Sequence, residues 1–63
     1  MKNTMKEIVN ILRDSNEAVD IKIEYMTGGY DLEVATGKLL NILPNLNTNR
    51  YIAKESIIRF LHT

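Results

Sequence analysis

Sixty-three residues of 7.2 kDa, 44% of them apolar, make one small domain spanning 1–63. Its core scarcely offsets about 1.5 kcal/mol of conformational entropy per ordered residue, so a partner subunit is the expected reinforcement. Cysteine is absent, histidine occurs once, at His62, and eight basic residues balance eight acidic ones. Those counts exclude disulfides, thiolate-held zinc and iron–sulfur clusters. They also argue against an imidazole-built metal centre and leave no global attraction to nucleic acid or anionic lipid. No cofactor is expected.

The longest apolar run is Tyr51-Ile52-Ala53. A membrane span needs about 20 apolar residues and a secretory segment about 7 to 15, so the expected compartment is the cytoplasm. The charge balance hides an asymmetry. Residues 1–35 carry four basic and seven acidic groups for a net of −3, and residues 36–63 carry four basic groups against Glu55 alone for +3. The plain reading is that opposite ends attract within one small fold, and the sharper one is a basic surface near the C-terminal end. Asn, Ile and Lys together make 20 of the 63 residues, an A/T-rich codon bias that hints at a low-GC bacterium, its phage or another mobile element.

The first element is an amphipathic helix. Thr4 followed by Glu7 fits a capping box, in which each side chain satisfies a backbone N–H of the other residue. Met5, Ile8, Val9, Ile11 and Leu12 then fall on one face at 100° per residue, and Asp14-Ser15-Asn16 closes the segment.

From residue 20 the period changes to two. Ile21, Ile23 and Tyr25 alternate with Asp20, Lys22 and Glu24, and after Gly28-Gly29, Tyr30, Leu32 and Val34 alternate with Asp31 and Glu33. Period two on both sides of a Gly-Gly pair predicts a β-hairpin with strands at about 20–27 and 30–35. Its register pairs Tyr25 with Leu32 and Ile23 with Val34, and sets Glu24 against Glu33 on the polar face. Leu32, Ala35, Leu39 and Leu43 are also helix-spaced, so a continuous helix from Asp31 competes with the second strand. Gly37 in its middle would cost about 1 kcal/mol relative to Ala. The preferred reading is a short helix at about 37–43, with Thr36 as its cap and Pro44 as its stop. Residues 45–49 read as a polar connection anchored by Leu46.

The last segment, about 50–61, is expected to be helical, with Ala53, Ile57, Ile58, Phe60 and Leu61 on one arc and Glu55, Ser56, Arg59 and His62 on the other. A third strand over Ser56–Leu61 is the alternative, because the stretch is rich in strand formers. The fold class expected from these elements is α+β.

Catalytic chemistry is sparse. Ser15 and Ser56 lack a neighbouring base, and the carboxylates lie on faces expected to meet water, so no enzyme is expected. Thr36-Gly37-Lys38 fails as a phosphate loop, with Leu32 where the first glycine belongs and Leu39 where Ser or Thr belongs. The run from Arg50 to Leu61, with Lys54, Ile57, Phe60 and Leu61 in the pattern K-x-x-I-x-x-F-L, resembles the end of excisionase-like and MerR-like winged-helix proteins. The resemblance covers about a dozen residues and implies duplex DNA binding with Arg50 and Lys54 near phosphates. Arg59 is the third basic candidate.

The leading expectation is a non-enzymatic regulatory or inhibitory interaction module, homo-oligomeric or bound to a larger protein. Ile11, Tyr51, Ile52 and Ile58 sit at the margins of the expected core faces and are its interface candidates. A small DNA-binding regulator is the second expectation. A membrane is not an expected partner.

Overall fold

The computed structural model describes residues 4–43 and 49–63, and within them the chain is four helices and no strand. They are α1 (Met5–Arg13), α2 (Asn16–Met26), α3 (Leu32–Ile42) and α4 (Arg50–Leu61). The α+β expectation is therefore corrected to an all-α fold. Each helix packs on two neighbours, α1 and α3 each lying against both α2 and α4.

Every helix begins on a side chain that satisfies an otherwise orphan backbone N–H. At α1 the capping box is complete: the Glu7 N–H donates to Thr4 Oγ1 at 3.2 Å and the Thr4 N–H donates to Glu7 Oε1 at 2.8 Å. That Thr4 N–H, and after it the Thr4 hydroxyl, holds the Glu7 carboxyl below the usual carboxylate range. Ser15 accepts from the Ala18 N–H at 3.2 Å, Asp31 from Val34 at 2.8 Å and Asn49 from Ile52 at 2.8 Å.

The Gly-Gly pair explains why there is no hairpin. Gly28 has φ +88°, the left-handed conformation that ends a helix with least strain in glycine. The Gly29 N–H donates to the Glu24 carbonyl at 2.8 Å and the Gly28 N–H to the Tyr25 carbonyl at 3.3 Å. This is the crossed pair of bonds of a Schellman cap, so the two glycines stop α2 instead of turning a hairpin. Residues 20–26 belong to α2 and residues 32–35 open α3. The pairings of Tyr25 with Leu32, Ile23 with Val34 and Glu24 with Glu33 fall with the strands. Helical winding leaves Ala18 and Ile21 buried and turns Ile23 outward.

The short helix expected at 37–43 starts five residues earlier, capped by Asp31. Thr36 and Gly37 lie in its interior, as the competing reading of this stretch had them. Helix also replaces the strand alternative at the C-terminal end. Pro44 and Leu46, read as stop and anchor, lie outside the described residues, as do the other residues of 45–48.

The core joins Ile8 and Leu12 of α1, Ala18 and Ile21 of α2, Ala35 and Leu39 of α3, Leu43, and Ile57, Phe60 and Leu61 of α4. Ser56 belongs to this buried face, contrary to its expected place on the polar arc. Its hydroxyl donates to the Ile52 carbonyl at 2.7 Å, which satisfies the one buried polar side chain among the described residues.

Candidate interaction surface

Burial on the inner faces leaves apolar side chains without a partner on the outer ones. One such area lies between α3 and α4, where a groove of about 590 Å³ is lined by Leu32, Thr36, Gly37 and Leu40 on one wall and Tyr51 and Ile58 on the other. Glu33, Lys54 and Glu55 complete it. The spacing produces the walls. Leu32, Thr36 and Leu40 recur every fourth residue on α3, and Tyr51 and Ile58 are seven apart on α4, so each set shares a helix face. Tyr51 is 69% exposed and Leu32 is 42% exposed. Fully burying a large apolar side chain is worth about 1.5–3 kcal/mol, so covering what remains open here would return on the order of 2–5 kcal/mol before the costs of association.

The four expected interface residues separate. Tyr51 and Ile58 meet in this groove. Ile58 also lines a second, smaller hollow with Met5, Arg59 and His62, where the start of α1 lies beside the end of α4. Ile52 is half-buried and packs against the core from α4's other flank. Ile11 is exposed on α1 and lines neither hollow.

Leu32 and Leu40 were absent from the interface candidates because the hairpin reading buried Leu32 in a sheet. Their helical spacing was the signal that would have found them. A second exposed row, Val19, Ile23 and Met26, runs along the outside of α2 at spacings of four and three.

The basic candidates do not converge. Lys54 faces the α3/α4 groove and Arg59 the hollow beside Met5, while Arg50 is exposed at the first position of α4. Glu55 lines both hollows, setting a carboxylate near each cation. The wing strand implied by the winged-helix resemblance has no counterpart among the described residues.

Glu17, Asp20 and Glu24 on α2 line a third hollow, of about 380 Å³, with Tyr30 and Lys38. The Lys38 ammonium lies 5.2 Å from the centre of the Tyr30 ring. Among the described residues, no cluster of three or more histidine or carboxylate side chains is placed to hold a metal, and no helix is long and apolar enough to cross a membrane. Comparison of the chain with protein-family models, with curated proteins and with solved structures finds no match.

Proposed function

We propose that this chain is a small cytoplasmic interaction module, non-enzymatic and regulatory or inhibitory, that docks protein through the α3/α4 groove. The observation that carries the reading is the groove itself. A 63-residue chain, short of apolar residues for its core, leaves Leu32 and Tyr51 exposed and Leu40 and Ile58 half-buried along one groove. Two facing walls bearing apolar side chains at helical spacing match an amphipathic helix, whose i, i+4 and i+7 residues would enter between them. Lys54 on one wall and Glu33 on the other give such a helix a preferred direction.

A DNA-binding role has weaker support, because Lys54 and Arg59 face different hollows and each shares its hollow with Glu55. One experiment separates the two. A library of amphipathic helical peptides is selected on the pure chain and on an Ile58→Asp variant, and labelled duplex DNA is titrated in parallel at low salt. Peptides enriched on the wild-type chain alone, whose binding shifts amide signals of α3 and α4, support the module. Enrichment that ignores Ile58, or salt-sensitive DNA binding without peptide binding, contradicts it.

A further inference from the structure

We propose that the α3/α4 groove is closed by a second copy of this chain, related by a two-fold axis, with Tyr51 of each copy seated over Gly37 of the other. The inference rests on the reading of the groove as a docking surface and names its occupant.

A two-fold contact uses the same patch twice, so the patch must carry both a projection and the space that receives it. Tyr51 is the projection, 69% exposed on the α4 wall. Gly37 is the space. It lies in the interior of α3, where glycine weakens a helix relative to alanine, and nothing among the described residues calls for it. Gly28, and not Gly37, holds the positive φ, and a Cβ placed on Gly37 would meet no atom of the described residues within 4 Å. The room above Gly37 opens into the groove that Tyr51 borders.

Charge favours the same arrangement. The groove carries both signs, Lys54 with Glu33 and Glu55, so a two-fold pairing can set each lysine against carboxylates of the other copy. The chain's net charge is zero, which leaves no long-range repulsion between copies. The row Val19, Ile23 and Met26 on α2 is the rival surface. It is bordered by Asp20 with Glu17 and Glu24 beyond, and the ammonium of Lys22 on its other flank is engaged by Thr63. The cation bordering that row is thus already engaged within the chain, whereas Lys54 at the groove is exposed.

Two helices of 11 and 12 residues make a face about 17 Å long. Two helix diameters, about 20 Å, make it roughly 350 Å² in area, less than the roughly 800 Å² per partner of a standard interface, so the dimer is expected to be reversible and to depend on concentration.

Sedimentation velocity across a concentration series tests this with Tyr51→Ala, Gly37→Leu and Ile23→Asp. Tyr51 and Gly37 are exposed and leucine is a good helix former, so the first two variants keep the fold, as circular dichroism checks. The expected result is a wild-type dimer whose dissociation constant rises at least tenfold in Tyr51→Ala and Gly37→Leu and stays within threefold in Ile23→Asp. Because the chain has no cysteine, Gly37→Cys and Tyr51→Cys proteins mixed in equal amounts and oxidised mildly should give the mixed disulfide in excess over its random share. A chain monomeric at millimolar concentration, a dimer lost only in Ile23→Asp, or random disulfide pairing overturns the proposal. A monomer that still binds the selected peptides through Ile58 overturns the dimer alone. A monomer that binds none of them overturns the docking reading as well.

Discussion

The Tyr25 hydroxyl lies 3.0 Å from Nε2 of His62, whose Nδ1 lies 3.0 Å from the carbonyl of Ile58. A carbonyl only accepts, so Nδ1 carries a proton, and in a neutral ring Nε2 then accepts from the phenol. Beside it, the Lys22 ammonium donates to the Thr63 carbonyl at 2.9 Å and lies 5.0 Å from the centre of the Phe60 ring. These contacts tie α2 to the end of α4. Removing the hydroxyl in Tyr25→Phe should lower stability by about 0.5–1.5 kcal/mol in urea titration, with helix content unchanged. An unchanged midpoint would mean that the bond adds nothing in solution.

The glycines at 28 and 37 should respond to alanine with opposite signs. Gly28→Ala forces a Cβ into the left-handed region and should cost about 1–2 kcal/mol. Gly37→Ala relieves a helix interior at an open position and should add about 0.5–1 kcal/mol. Thermal and urea unfolding of the two variants checks both signs. A Gly28→Ala variant as stable as the wild type, or a Gly37→Ala variant less stable than it, would contradict these assignments.

Phe60 and Ser56 are both buried on α4, yet they should differ sharply. Phe60→Ala removes about 3–5 kcal/mol, comparable with the total of about 3–9 kcal/mol expected for a chain of this size. That variant should be largely unfolded at 25 °C by circular dichroism. Ser56→Ala deletes a hydroxyl that bonds only within its own helix, so its stability should stay within about 0.5 kcal/mol of the wild type.

The capping box makes α1 sensitive to acid. The Thr4 N–H, then the Thr4 hydroxyl, holds the Glu7 carboxyl below its ordinary 4.5, so between the two values the unfolded chain binds more protons than the folded one. Its contribution is complete above the unfolded value and is lost as pH falls through the folded one. Stability measured from about pH 6 down to about pH 2 should therefore decline, and Glu7→Gln should flatten part of that decline. Identical profiles for the two proteins would remove Glu7 from the account.

Helix α1 was legible because Thr4 and Glu7 stand three apart before an apolar stripe. The core face of α4 was legible because Ala53, Ile57, Phe60 and Leu61 fall on one arc. The middle of the chain misled for a physical reason. Ile23, Leu32 and Val34 satisfy a two-residue period only if all three are buried, and a reading that seeks a core assigns them to a sheet. In the helices all three are exposed, and Leu32 borders the groove. Apolar residues that leave the core where a pattern would bury them are where local rules give way to function, so the misread segment and the candidate surface overlap. The caps at Ser15, Asp31 and Asn49 were present as residue types, but each also fits a loop, and only the following N–H groups distinguish the two. Ser56 escaped because its hydroxyl turns back on the Ile52 carbonyl and hides its polarity.

The most direct test of self-pairing through the docking surface is a dilution series of amide chemical shifts on the wild-type chain, from about millimolar concentration down to the low micromolar, spanning the range in which a small interface dissociates. The account predicts shifts that move with concentration and cluster at Leu32–Leu40 on α3 and Tyr51–Ile58 on α4, with the outside of α2 unchanged. Shifts that stay fixed throughout, or that move at Val19, Ile23 and Met26 instead, would contradict it.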